Sequence, residues 1–576
     1  MTRYRISGSV MTHPKRLAAA EALARSAPPG ALHVVTDPDP DGEPSALRTA
    51  LVAWSSIEEG ATHHLVLQDD LILSGALFER VQRAVEQRPD AALALFALWD
   101  SRNGAAVRLA AMAGARWVRA VNEYFPCLAV VLPREVAADY VRYGSSRLGT
   151  WPDDILLRQF LRSRGVPAYV AAPSLVEHDD RGSISGNAFR GPRRSVCFLP
   201  DDRGGDESIS LDRPRVVPFF KNGTAQCAVR VAGPGPERWL HLECTEYLSG
   251  LGVNVNRYKS ANVELTEAPD PEAARETWLT AFTMGFAHRA EGRGDVLSRT
   301  AACAEALATI GPGGVSARQS EERIAALRAN LAEVAAAGVT AGLDAGRTAG
   351  ARPVRSGRRV TVFGAASPLG EHVVHGLAAR GHRVTLGSPA DTAAAGTRSN
   401  RDALVDLRPL RQAADGGDTG VLVRSADGPA VTLRTGDLYG PGCSPRTPIG
   451  RMVWNALRSR PVVLTDPPGR PLRPLHTYDL VGALCRVLDE PPAAEVLELP
   501  EETAVSPGAM AEAVLSAVRP VGVETVTAPP RTAPVPDVRG AGAPRLQGWK
   551  PTVDLHHGLH TYMQWLAYEG LALSGT

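Results

Sequence analysis

The segment His64–Leu73 reads HLVLQDDLIL. An apolar run ending in two adjacent carboxylates, Asp69 and Asp70, reads as a strand that delivers both acids to one edge of a sheet. Ligands of open α/β sheets collect outside that edge, and a carboxylate there suits a hard divalent cation that also holds phosphates. The competing reading is that one of the two caps the following helix, since Asp is a favoured N-cap. Outward from this segment, residues 1–200 alternate strand-like runs (Arg5–Val10, Leu32–Val35, Leu93–Leu98, Leu128–Leu132) with helical periods (Pro14–Arg25, Ser45–Glu58, Gly75–Gln87, Asp153–Arg164). That alternation predicts an α/β layered sheet.

Two further segments of the same region carry acids. Trp151–Phe160 (WPDDILLRQF) places Asp153 and Asp154 at a helix start, where capping accounts for one of them. Pro173–Asn187 (PSLVEHDDRGSISGN) reads as a strand ending in Glu177, His178, Asp179 and Asp180. Neutral His is a common metal ligand. A lone His is more often structural, but one after a strand, in a domain with several acids, is a better candidate.

Taken in order, these segments resemble the GT-A glycosyltransferases. ISGSVMTHPKR at 6–16 is similar to their first strand and turn, and VVTD at 34–37 to the second strand, whose terminal acid (here Asp37) faces the base of the nucleotide sugar. QDD at 68–70 resembles their DxD element with Gln68 in place of the first acid. WPDD resembles the helix start that supplies the base of inverting members, and PSLVEH the late strand whose His completes the metal site. The match covers about residues 1–195. It implies transfer of a sugar from a nucleotide-sugar donor to an unidentified acceptor. Mn²⁺ or Mg²⁺ would bridge the diphosphate and neutralise the leaving group. Asp70 would be the main ligand, with His178 and Asp69 assisting, and Asp153 or Asp154 would deprotonate the acceptor hydroxyl.

Composition narrows the remaining classes. The 576 residues are 44% hydrophobic, a length for three or four domains at roughly 100–200 residues each. Lys+Arg is 63 against Asp+Glu 62, so no overall positive field points to nucleic acid or an anionic membrane. Seven cysteines without C-x-x-C make neither a disulfide framework nor a zinc knuckle, and a cytoplasmic location is expected. The polar, alternating N-terminus is unlike a signal peptide. No uninterrupted apolar run approaches the roughly 18 residues of a membrane span. Lysine is confined to Lys15, Lys221, Lys259 and Lys550, while Arg, Ala, Gly and Pro abound. This is read as coding bias, so little chemistry is assigned to Arg itself.

Beyond residue 200 the pattern changes twice. Asp201–Asp212 (DDRGGDESISLD) is polar and acidic and reads as a surface connection. Residues 213–345 read as a mostly helical middle region, with a strand at Ala225–Val231, a hairpin turn in FFKNG at 219–223, and helices at Glu272–Ala290, Leu297–Ile310 and Ser316–Ala337. Ala345–Arg358 reads as a linker. Arg359–Gly370 (RVTVFGAASPLG) then gives a strand, a Gly-rich turn and a helix. Glycines allow the tight turn and the helix N-terminus favours a pyrophosphate. Gly364, Ser367, Leu369 and Gly370 are the candidate cofactor contacts, with Ser367 where G-x-x-G-x-x-G has its middle Gly.

With VDLR at 405–408, LRTGDLYGPG at 433–442, RPLHTYD at 473–479 and GWKPTVDLHHGL at 548–559, residues 358–570 resemble the extended short-chain dehydrogenase/reductase family, in its sugar-nucleotide epimerase and dehydratase branch. The resemblance implies a Rossmann-like doubly wound domain over 358–576. The family reacts through Tyr-x-x-x-Lys, and no such pair occurs in this chain. The second strand ends Leu386-Gly387-Ser388, without the acid that holds an NAD ribose, and the stretch from Leu386 to Val431 is short. A degenerate module is therefore expected, with NAD(P) binding left open. HHGLH at 556–560 reads as core rather than metal site. The leading expectation is a metal-dependent glycosyltransferase. The alternatives are a nucleotide-sugar epimerase, dehydratase or NAD(P)-dependent oxidoreductase, and a non-enzymatic scaffold; a homo-oligomer is left open.

Overall fold

The computed structural model describes residues 4–42, 45–149, 151–179, 191–231, 237–258, 265, 268–294, 297–348, 357–387, 403–409, 419–424, 429–466, 468–499, 504–527 and 544–569. Asp180 and Ser388 lie outside them. The chain is α/β, as its alternation predicts, and divides into two compact units, Met1–Thr245 with Asn254–Ala351, and Glu246–Val253 with Arg352–Thr576.

The first unit is built on an eight-stranded mixed sheet. Its strands are β1 (Ile6–Thr12), β2 (His33–Thr36), β3 (His63–Gln68), β5 (Ala92–Ala94), β6 (Trp117–Arg119), β7 (Ala129–Pro133), β8 (Ala168–Ala171) and β10 (Ser210–Leu211). Two short strands, β4 (Leu71–Leu73) and β9 (Val176–His178), form a separate antiparallel ladder. The sheet order is β10-β6-β8-β5-β7-β3-β1-β2, with β1, β2 and β3 parallel and β7 antiparallel to β3. β3 is buried over His63–Leu67, which is why it reads as one apolar run rather than an alternating one. The register pairs Met11 with Gln68 and Thr12 with Thr36, so the ends of three strands lie side by side.

Helices α1 (Leu17–Ser26), α2 (Ala46–Ser55), α3 (Leu77–Gln87), α4 (Arg102–Met112), α5 (Arg134–Ser145) and α6 (Asp153–Ser163) cover the sheet. The Ser45 side chain caps α2 by accepting from the Arg48 N–H. α4 is buried on every side and so carries no apolar stripe, the physical reason its sequence gives no helical signal.

Of residues 213–345, 213–245 and 254–345 fall in this same unit, and Glu246–Val253 in the other. They begin with an antiparallel three-stranded sheet, β11 (Val216–Lys221), β12 (Thr224–Arg230) and β13 (Trp239–Glu243). The expected hairpin turn holds Asn222 and Gly223 at φ 52° and 76°, the conformation an Asn-Gly turn provides. Buried Arg108 of α4 donates to the carbonyls of Trp99, Ala306 and Thr309 at 2.7–2.9 Å, joining the sheet's helix layer to the helix Ala301–Ala308. Helices Pro271–Ala290 and Glu321–Thr348 pack so closely that a Cβ at Gly342 would sit 2.0 Å from the Phe282 carbonyl. Glu321–Arg347 is, by length and composition alone, apolar enough to cross a membrane.

The acidic stretch after Pro200 is not a mere surface connection. Glu207 is buried and accepts from Arg80 Nε at 2.8 Å and from Trp117 Nε1 at 2.7 Å. A fully buried arginine requires a partner, and the tail of the stretch, β10, adds to the sheet edge beside β6.

The second unit has a six-stranded sheet, from β14 (Arg359–Phe363), β15 (Arg383–Leu386), β16 (Ala403–Asp406), β17 (Thr419–Arg424), β18 (Ala430–Thr435) and the later strand Val496–Glu498. It starts as a parallel Rossmann-like β15-β14-β16 layer. β17 then runs antiparallel to both neighbours. A parallel pair needs a crossover of a dozen or more residues; only five residues separate Arg424 from Ala430, so the shortened stretch turns back as a hairpin.

Removing one partner of a buried ion pair costs about 3–5 kcal/mol. Glu207→Ala should therefore lose about that much unfolding free energy in urea, whereas a change within about 0.5 kcal/mol would place Glu207 at the surface after all.

Candidate active site

The aligned ends of β1, β2 and β3 bring Thr12, Asp37, Asp69 and Asp70 to one edge. His178 reaches the same place through the β4–β9 ladder, in which Leu71 pairs with His178 and the Asp179 N–H donates to the Asp70 carbonyl at 2.8 Å. His178 Nε2 lies 3.4 Å from Asp70 Oδ2, and both side chains are buried. The two residues, 108 positions apart in the sequence (178 − 70), thus converge.

Arg16, on the turn after β1, closes the cluster. Its Nη1 donates to Asp69 Oδ1 at 3.2 Å and Asp70 Oδ2 at 3.1 Å. The Thr12 hydroxyl donates to Asp69 Oδ2. Burial pushes the Asp69 carboxyl above its ordinary range, with Asp70 adding to the rise. Burial would also raise Asp70, but His178, Arg16 and Arg193 together hold it below. Among the described residues, Asp70 Oδ1 is buried with no hydrogen-bond partner.

The sequence leads to the expectation of a Mn²⁺ or Mg²⁺ site at Asp69, Asp70 and His178, and the structure brings these side chains together around Arg16. Three of the four carboxylate oxygens already hold Thr12, Arg16 or His178, and an ion beside them would face the Arg16 guanidinium. Among the described residues no group of three His, Cys, Asp or Glu side chains could hold a metal. The residues present do not fit a divalent cation. Nothing in the sequence pattern marks Arg16, one arginine among many in a chain rich in them.

The other expected residues take distinct places. Asp37 forms a bidentate pair with Arg48, Nε to Oδ1 and Nη2 to Oδ2 at 2.8 Å each, and that pairing lowers its pKa. It therefore presents a locked carboxylate rather than an open one. Asp153 is buried, accepts from the Tyr140 hydroxyl at 2.6 Å and faces Cys127. Burial raises it to about 6. Asp154 is half-buried, its Oδ1 accepting from the Ile155 N–H at 2.8 Å. The start of α6 is tied to the β3 end by two bonds, Phe125 N–H to the Asp154 carbonyl at 3.1 Å and Gln68 Nε2 to the Cys127 carbonyl at 3.4 Å. Glu177 is structural, accepting from the N–H and hydroxyl of Ser195 at 2.8 and 2.7 Å.

In the second unit the Gly-rich turn forms as read. Gly364 has φ 80°, a Cβ at Gly370 would lie 2.2 Å from the Gly364 carbonyl, and the Ser367 hydroxyl caps the helix Pro368–Ala379 by accepting from the Gly370 N–H at 3.0 Å. Leu369 is half-buried against the unit's core. A Cβ at Gly442 would come 2.6 Å from Leu369 Cα, so the Tyr439–Cys443 loop lies on the first turn of that helix. Asp406 gives both oxygens to Arg408, whose guanidinium stacks 4.9 Å over the Phe363 ring. The turn fits a phosphate, and among the described residues no acid ends β15 (Arg383–Leu386). His557 and His560 of HHGLH are buried in the helix Leu555–Tyr568, as a core reading expects.

No protein family and no curated protein matches the chain. Among solved structures it is similar to the UDP-glucose 4-epimerase of Thermotoga maritima with UDP-glucose (15% identity, 36% of this chain and 98% of that one, TM-score 0.25). It is also similar to a Bacillus anthracis dTDP-glucose 4,6-dehydratase in complex with NAD (13%, 37% and 97%, 0.26) and to WbmF of Bordetella bronchiseptica with NADH (12%, 38% and 95%, 0.28). Each of these likenesses covers little more than a third of the chain. At such TM-scores they carry no argument about activity.

A carboxyl group whose pKa is raised on folding binds protons that the unfolded chain has released. Between pH 3.8 and about 6 the Asp153 contribution to stability therefore falls as pH rises. Asp153→Asn should flatten that part of a stability-against-pH curve measured by urea denaturation; an unchanged slope would mean that Asp153 titrates normally.

Proposed function

We propose that the first unit transfers a sugar from a nucleotide-sugar donor to a hydroxyl acceptor. The observation that carries this reading is the convergence of Asp69, Asp70 and His178 at the C-terminal edge of the parallel strands, where an open α/β sheet binds its ligand. Asp154 is the proposed base: it is the less buried of the adjacent acids on α6, and Asp153 is engaged by Tyr140. In the step, Asp154 takes the acceptor hydroxyl proton while that oxygen bonds to the anomeric carbon. The bond from that carbon to the diphosphate breaks, and the nucleoside diphosphate leaves. Asp37, with Arg48, shapes the nucleoside side of the edge.

A second reading places chemistry in the other unit, as an NAD(P)-dependent oxidoreductase or a nucleotide-sugar epimerase or dehydratase. The phosphate-sized turn at Gly364–Gly370 favours it; the missing Tyr-x-x-x-Lys weighs against it, as does a second strand ending Leu386-Gly387-Ser388 without an acid.

A screen of UDP-, GDP- and dTDP-sugars with the full chain, read by hydrolysis and by melting temperature, tests the first reading, since ligand bound only by the native state raises apparent stability. At least one donor should be turned over, and Asp154→Asn should slow turnover by about 10²–10⁴-fold with donor binding kept. Turnover indifferent to both Asp154→Asn and Asp70→Ala would end these assignments. Isothermal titration of the full chain with NAD(H) and NADP(H) should give no heat of binding; binding accompanied by hydride transfer would instead establish the second reading.

A further inference from the structure

We infer that Arg16 occupies the place a divalent cation would take in this site, so that nucleoside diphosphate binding needs no added metal. The inference rests on the transferase reading above and deepens it. Its first observation is geometric. One nitrogen, Arg16 Nη1, bridges the two adjacent carboxylates at 3.2 and 3.1 Å, as an ion shared by Asp69 and Asp70 would. A guanidinium delivers positive charge and directed N–H donors without any exchangeable ligand, and arginine stays charged at every working pH. Arg193 lies near enough to lower the Asp70 pKa as well, so the acids face two fixed cations.

The second observation points to a ligand. Asp70 is 7% exposed, yet among the described residues its Oδ1 has no hydrogen-bond partner. A buried carboxylate oxygen without a donor is costly to leave so. A metal is the first candidate to meet it, but the donor set around it does not fit one. A hydroxyl does fit, because it brings a proton to the oxygen and no charge toward Arg16. The donor's sugar hydroxyl therefore bonds Asp70 Oδ1, while the diphosphate lies on the Arg16 side of the pair. The acids then position Arg16 and hold the sugar rather than ligate an ion.

The full chain should be titrated with Mn²⁺ alone, followed by the paramagnetic resonance signal of the free ion. Wild type should bind none at the edge, and Arg16→Gln should gain a site that Asp70→Asn in the same chain removes. A Mn²⁺ bound by wild type and lost in Asp70→Asn overturns the inference, even if Arg16→Gln fails to fold. So does a folded Arg16→Gln that gains no site. A second arm measures UDP, GDP and dTDP binding in excess chelator. Wild type should bind one of them, and Arg16→Gln should weaken it by about tenfold or more, the loss expected for a hydrogen bond to a charged group. Arg16→Lys, which keeps the charge, should weaken it less. Binding that requires Mn²⁺, or that ignores Arg16→Gln, overturns the inference and leaves the transferase reading standing. If no nucleoside diphosphate binds with or without Mn²⁺, the transferase reading falls, and the titration with Mn²⁺ alone still decides what fills the acidic pair.

Discussion

Two ionised carboxylates adjacent in sequence and packed together at a strand end repel strongly in a weakly polarisable surrounding, and a positive charge between them relieves that repulsion. Arg16 meets that constraint at the end of β3, and much of the first unit is arranged so that it can. The in-register pairing of β1 with β3 sets the turn that carries Arg16 beside Asp69 and Asp70. The β4–β9 ladder brings His178 from the far end of the domain onto the same acid. The opposed pKa shifts of Asp69 and Asp70 follow from this geometry: Asp69 is half-buried beside a second acid, whereas buried Asp70 gathers the cations.

The same chemistry recurs away from the site. Arg108 satisfies three carbonyls where α4 meets the later helices, and Arg80 with Glu207 and Trp117 locks the acidic stretch into the sheet edge. Both arginines are buried. A planar guanidinium with five donors suits such places, since it can satisfy several acceptors from a single rigid group. An arginine-rich composition is therefore compatible with specific structural use of individual arginines.

In the second unit chain length decided the architecture. A Rossmann-like start at β14, its Gly turn and the following helix persists. Only five residues separate β17 from β18, too few for a parallel crossover, and β17 runs antiparallel to both neighbours. The Gly364–Gly370 turn is local, seven residues whose geometry depends on near neighbours.

The sequence by itself determined the local pieces. Apolar runs and capping residues marked the strand His63–Gln68, helix Ala46–Ser55, the Asn222–Gly223 hairpin and the Gly364 turn, since each depends on near neighbours. It also singled out Asp69, Asp70 and His178. Only the tertiary structure decided what those acids hold. Whether a carboxylate meets an arginine, a tyrosine or open space depends on strand register and on segments far away in the chain. So Arg16 at the acidic pair, Arg48 on Asp37, Tyr140 on Asp153 and the burial of Glu207 had no signature in composition or spacing. The helix Arg102–Met112 was equally silent, because a helix buried all round has no polar face to show its period.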